Sequence, residues 1–150
     1  MPQTVYILED ESITRDLCVE YVQVALPEFE LAGSSADGNQ ALEDCLRMEP
    51  DLVIIDIRLP GMSGLEFLQK YKKHVPSSKV LIYSGTDCSE VVKSAWVGNA
   101  DGFVEKRSGM QQIKAAVDSI MNGRPYFSES VAGKIIDLST SRRIPGGKGS

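Results

Sequence analysis

Leu52-Val53-Ile54-Ile55-Asp56-Ile57-Arg58-Leu59-Pro60-Gly61 is the stretch whose reading decides the fold. Four apolar residues in a row, three of them β-branched, with no polar position between them, fit a strand buried on both faces. That habit belongs to parallel sheets covered by helices. The run then ends in a carboxylate. An acid at the mouth of a buried strand loses hydration, so it marks either a costly accident or a working site.

Working outward, Thr4-Val5-Tyr6-Ile7-Leu8 reads as a first buried strand, followed by a helix with Ile13, Leu17, Tyr21 and Val24 at helical spacing as its apolar stripe. Phe29 to Gly33 is a weaker, more polar strand suited to a sheet edge, and Ala41, Leu42, Cys45 and Leu46 line the next helix. After the Asp56 strand, a helix begins at Gly64 with Leu65, Leu68 and Val75 toward the core. Val80 to Tyr83 is a fourth strand, and Val91, Val92, Ala95 and Trp96 mark a helix stopped at Gly98-Asn99, with Trp96 half-packed on its surface. Gly102-Phe103-Val104 makes a fifth strand. Ser108 and Gln111 match a capping box at the start of a fifth helix carrying Ile113, Ala116, Val117 and Ile120.

Five strands alternating with five helices define an α/β, doubly wound parallel sheet with helices on both faces. Residues 1–122 form this domain. Residues 123–150 hold a short C-terminal helix, capped by Ser128 or Ser130 and running through Val131, Ile135 and Leu138, and a linker or tail rich in Gly, Ser and Arg after Thr140.

The 150-residue chain carries a net charge of −5, which argues against nucleic-acid binding by these residues. No apolar run is long enough to span a bilayer and no export signal is evident, so a cytoplasmic protein without membrane contact is expected. Cys18, Cys45 and Cys88 lack metal-site spacing; Cys18 and Cys45 are expected in the core. His74 sits where a helix C-terminus favours its partial positive charge.

In an open parallel sheet, ligands gather beyond the carboxyl ends of the strands. There the first strand presents Glu9-Asp10-Glu11, the third Asp56, the fourth Ser84-Gly85-Thr86 and the fifth Glu105-Lys106. Carboxylates converging at one point repel unless a hard cation sits among them, and magnesium takes such oxygen ligands. Glu9, Asp10 and Asp56 are the candidate ligands, with the backbone carbonyl of Arg58 in addition. Lys106 offers a point charge and Ser84 a hydroxyl donor, so a nucleophile, a metal site and clamps for phosphoryl transfer are all present.

With these residues in order, residues 4 to about 121 resemble the receiver domain of bacterial two-component response regulators. Glu9-Asp10 resembles the family's acidic pair, Asp56 the phosphoacceptor in a D-x-x-x-P-G-x-x-G segment ending at Gly64, Ser84 its hydroxyl, Lys106 its lysine, and Phe103 its switch aromatic. The resemblance implies a flavodoxin-like sheet with strand order 2-1-3-4-5 and Mg2+ as cofactor, with Asp10 a direct ligand and Glu9 acting directly or through water. It further implies that Asp56 takes a phosphoryl group from a sensor histidine kinase, that Ser84 and Lys106 move toward it, and that Phe103 follows. The changed face would be that of helix four, strand five and helix five. By position, Arg58 and Thr86 tune hydrolysis and Gly85 keeps the site accessible.

Arg107 stands where the family often has proline, which leaves the isomer of that peptide bond open. The alternative is a haloacid-dehalogenase-like hydrolase with an aspartyl-phosphate intermediate. It needs a general acid two residues after the nucleophile, where this chain has Arg58. A switch that catalyses its own phosphorylation and dephosphorylation, not a turnover enzyme, is therefore expected. Gly123-Arg124-Pro125-Tyr126-Phe127-Ser128 with Val131-Ala132 resembles the junction to the DNA-binding domain in LuxR/NarL-type regulators. That implies transcription regulation, DNA contact only through an output domain outside this chain, and homodimerisation through helix one or the strand-five to helix-five region.

Overall fold

The three-dimensional structure is a computed structural model describing residues 2–86 and 88–138, with side chains described as far as residue 135. The strands are β1 (Gln3–Leu8), β2 (Phe29–Ser35), β3 (Leu52–Ile55), β4 (Lys79–Ser84), β5 (Gly102–Glu105) and β6 (Tyr126–Phe127). Between them run α1 (Ser12–Ala25), α2 (Gly38–Met48), α3 (Gly64–His74), α4 (Ser89–Val97) and α5 (Gln111–Met121), and α6 (Glu129–Ala132) follows β6. The sheet order is β2-β1-β3-β4-β5-β6, with every pair parallel. Chain direction across the sheet reverses at β1, whose neighbours are β2 and β3, and a cleft opens there at the strands' carboxyl ends.

The all-apolar strands divide their side chains by the two-residue period of a strand. Tyr6, Leu8, Val53, Ile55, Val80, Ile82 and Phe103 face α2, α3, α4 and α6, meeting Cys45, Phe67, Leu68, Tyr71, Ala95 and Val131. Val5, Ile7, Leu52, Ile54, Leu81 and Val104 face α1 and α5, meeting Cys18, Val22, Ile113, Val117 and Ile120. Local chemistry sets the helix ends. Asp37 accepts the Asn39 and Gln40 N–H groups at the start of α2, and Ser63 accepts the Glu66 N–H at the start of α3. Lys72, Lys73 and His74 end α3, where positive charge suits the helix dipole. Cys18 and Cys45 are buried core residues, as expected.

Several expectations need correction. The sheet has six strands, not five, because Tyr126 and Phe127 pair with Gly102 and Phe103 of β5. The stripe expected to bury α1 does not: Ile13 is 69%, Leu17 50% and Val24 80% exposed, while Cys18 and Val22 face the sheet. No capping box forms at Ser108. Lys106–Ser108 is a 3-10 turn, α5 begins at Gln111, and the Gln111 side-chain amide donates to the Ser108 carbonyl instead of capping the chain before it. Trp96 is buried rather than half-packed, edge-on to Phe127 at 5.3 Å. The C-terminal helix is a single α turn with Ser128 at its N-cap position but no side-chain cap, continued by a 3-10 helix over Gly133–Leu138. The Leu138 side chain and the tail after Thr140 lie outside the described residues.

Candidate functional site

β1 and β3 pair in register with Leu8 opposite Ile55, and the Asp56 N–H extends that ladder to the Leu8 carbonyl at 3.0 Å. This brings Glu9 and Asp56 side by side at the point where strand order reverses. The loop after Asp56 has little freedom. Gly61 takes a φ of +81°, and a Cβ on Gly64 would lie 2.1 Å from the Asp56 carbonyl oxygen. The Gly64 N–H donates to the Ile57 carbonyl at 2.7 Å, so the backbone behind Asp56 is clamped. The sequence segment Asp56 to Gly64 thus has a steric reason for both of its glycines.

β5 supplies the counter-charge. Lys106 Nζ lies 2.8 Å from Glu9 Oε1 and 3.1 Å from Asp56 Oδ2, with its ammonium 5.9 Å from the centre of the Tyr83 ring. Burial works against the ammonium, yet the bonds to Glu9 and Asp56 outweigh it and the Lys106 pKa is raised. Glu9 and Asp56 are only 3% and 7% exposed. Burial pushes the Glu9 carboxyl above the usual carboxylate range; Lys106 and the Glu11 N–H oppose that shift, and the Asp56 charge adds to it. Two nearly buried acids sharing one lysine leave negative charge uncompensated.

That charge lines an open cavity of about 410 Å³, bounded by Glu9, Asp10, Glu11, Asp56, Arg58, Ser84, Gly85, Thr86 and Lys106. All the residues expected from the sequence to act on the reaction, other than Phe103, are therefore gathered around one space. Ser84 is buried, its Oγ accepting the Thr86 N–H at 3.2 Å, and a Cβ at Gly85 would meet nothing within 4 Å. One carboxylate oxygen from each of Glu9, Asp10 and Asp56 lies within 4.8 Å of the others. A set of hard oxygen donors around unpaired negative charge suits a small divalent cation, and Asp10 is exposed toward solvent to receive it.

Residues 5–118 match the family model of the response regulator receiver domain. The chain belongs to that family. The chain is 27% identical to the nitrate/nitrite response regulator protein NarL of Escherichia coli over 130 residues, covering 87% of this chain and 60% of NarL. It is 32% identical to the DNA-binding transcriptional activator EvgA of the same species over 104 residues, covering 69% of this chain and 51% of EvgA. The receiver chain thus spans between half and two-thirds of these relatives. Among solved structures, the two-component response regulator of the LuxR family from Aurantimonas sp. SI85-9A1 superposes with a TM-score of 0.84 at 23% identity, covering 92% of this chain and 98% of that one. That likeness shows the flavodoxin-like fold.

Some features of this receiver were not foreseen. Phe103 is fully buried, its ring 6.4 Å from that of Phe127, and it does not line the cavity. The Lys106–Arg107 peptide is trans, since the described residues contain no cis bond. Arg15 reaches back from the first turns of α1 and donates through Nη1 to the Glu9 carbonyl at 2.8 Å, which fixes the loop carrying the acidic pair. A basic residue one helical turn after an acidic run is the sequence signal for it. Glu105 is 3% exposed and turned away from the cavity, accepting from Ser130 Oγ and pairing with Arg107 at 3.1 Å.

Proposed function

We propose that this receiver is a phosphorylation-controlled switch in which Asp56 accepts a phosphoryl group from a sensor histidine kinase or a small phosphodonor. The supporting observation is the Asp56 carboxylate, clamped at the cleft and 3.1 Å from Lys106, on an open cavity that it shares with Glu9 and Asp10. In the transfer an Asp56 oxygen forms a bond to phosphorus, the phosphorus–nitrogen bond of the phosphohistidine breaks, and the leaving imidazole takes up a proton. Magnesium held by Asp10, Asp56, the Arg58 carbonyl and Glu9, directly or through water, would supply positive charge to the phosphoryl oxygens.

The chain's own residues do the rest. Lys106 stays charged, because its pKa is raised, and transfers its bond from the Asp56 carboxylate to a phosphoryl oxygen. Ser84 turns its hydroxyl from the Thr86 N–H toward another oxygen, and Arg58 and Thr86 govern how water reaches the acyl phosphate. Phe103 carries the change to the face of α4, β5 and α5. A DNA-binding output domain and control of transcription are proposed downstream, in keeping with EvgA being a DNA-binding transcriptional activator, and dimerisation is proposed with them. A turnover hydrolase is disfavoured, since the position where that class needs a carboxylic general acid, two residues after the nucleophile, holds Arg58.

The test is intact mass after incubation with Mg2+ and acetyl phosphate. One phosphoryl group is expected on the wild type and none on Asp56→Ala. Labelling that survives the substitution would remove Asp56 from the role, and labelling unchanged by chelation of the metal would remove the acidic pair.

A further inference from the structure

The face of this receiver formed by α4 and β5 is not bare: the chain's own residues 126–135 lie across it. Tyr126 and Phe127 add β6 to the edge of β5, with the Ser128 N–H donating to the Phe103 carbonyl at 3.0 Å. Phe127 stacks beside Phe103 and meets Trp96 of α4 edge-on. Val131 is fully buried among residues that include Val92, Ala95 and Phe103, and Ile135 packs on the same cluster. A polar contact closes this strap: Ser130 Oγ donates to Glu105, a nearly buried carboxylate that also pairs with Arg107 at 3.1 Å. Glu105 and Arg107 flank Lys106, whose ammonium bridges Glu9 and Asp56.

We propose that residues 126–135 are an autoinhibitory strap, latched through Glu105 and Ser130 and released when Asp56 is phosphorylated. The inference rests on the phosphoacceptor reading above. Two links run from the cavity to the strap. Drawing Lys106 toward phosphoryl oxygens moves the peptide units on either side of it, which hold the two groups that meet at the latch. Moving Phe103 disturbs the ring that Phe127 covers. The strap is built to come away: β6 is two residues long, α6 is one turn and cannot persist alone, and the Ser128 hydroxyl is buried without a partner, a cost that release relieves. A partner or second copy approaching α4 and β5 meets the strap first, so binding there requires the phosphorylated form.

Hydrogen–deuterium exchange of the 150-residue chain, with intact mass taken in parallel, tests this. After Mg2+ and acetyl phosphate, amides of residues 126–132 are expected to exchange at least about tenfold faster, while those of β1 and β3 do not change. Ser130→Ala is expected to raise strap exchange without phosphodonor and to leave phosphorylation intact. Glu105→Gln, which keeps the bond from Ser130 but loses charge against Arg107, should give a smaller rise. A complete mass shift with unchanged strap exchange overturns the strap and leaves the phosphoacceptor standing. Absence of the mass shift overturns both. Ser130→Ala with wild-type strap exchange removes the latch even if phosphorylation frees the segment by another route.

Discussion

At the scale of single residues, two polar groups, the half-buried Lys106 and the fully buried Tyr71, show how position decides chemistry. Lys106 lies between Glu9 and Asp56 at the open end of the sheet, where the proposed phosphoryl transfer would use its charge. Tyr71, fully buried at the closed end, donates to Ser78 Oγ at 2.9 Å, and Ser78 in turn donates to the Pro50 carbonyl at 2.6 Å. Burial pushes the Tyr71 phenol up to about 12. Since the ordinary value is near 10, the folded state keeps a proton that the unfolded chain releases, so the stability from this group is complete below about pH 10 and drains as pH rises toward 12. Tyr71→Phe should cost about 1 kcal/mol at pH 7, because Ser78 keeps its own acceptor. It should also flatten the fall of unfolding free energy between about pH 10 and 12 by about 1.4 kcal/mol per pH unit, measured by urea titration. An unchanged slope would mean that Tyr71 titrates as it does in the unfolded chain.

Single elements show what periodicity in a sequence can and cannot carry. The α1 sequence holds two apolar stripes: Ile13, Leu17, Tyr21 and Val24, and a second through Cys18 and Val22 that runs on to Leu26. Both have helical spacing, so the sequence supplies the period but not the phase. Phase is set by the turn Glu9-Asp10-Glu11, and Arg15 bonding to the Glu9 carbonyl helps to fix it. Leu17→Ser should therefore change stability by no more than about 0.5 kcal/mol and Val22→Ser by more than about 2 kcal/mol in chemical denaturation. The reverse order would mean that α1 docks by its other face. Strands β1, β3, β4 and β5 were legible because runs of buried apolar residues look alike wherever they stand. The site was legible for a related reason, since Glu9, Asp10, Asp56, Ser84 and Lys106 each end or follow one of those runs. By contrast, β6 was not. Two residues carry no alternation, and Tyr126 and Phe127 become a strand only because the β5 edge is there to receive them. The capping-box pattern at Ser108 and Gln111 misled because Gly109 between them takes a φ of +93° after a 3-10 turn, so the helix starts later.

For the whole molecule, the two faces of the sheet differ in how finished they are. The face under α1 and α5 is closed by long helices, whereas the other is completed at β5 only when residues 126–135 fold over Phe103 and Trp96. A chain ending at Asn122 keeps every strand from β1 to β5 and the whole acidic cavity, so it should fold and still accept phosphate on Asp56. Its stability bounds the strap. A phosphoryl group can shift an equilibrium only by its differential interaction with the two states, and taking a strap from 99% closed to 99% open needs about 5.5 kcal/mol. If closure contributes much more than that, no event at Asp56 can reverse it; if it contributes almost nothing, the strap is open at rest. Removal of residues 123–150 should thus lower the unfolding free energy by between about 1 and 5 kcal/mol in urea, with increased binding of an apolar dye at the uncovered Phe103 and Trp96. A loss above about 6 kcal/mol would make the segment an inseparable part of the core. A loss within error of zero would mean that the α4 and β5 face is open in the resting protein and that its partners need no permission from Asp56.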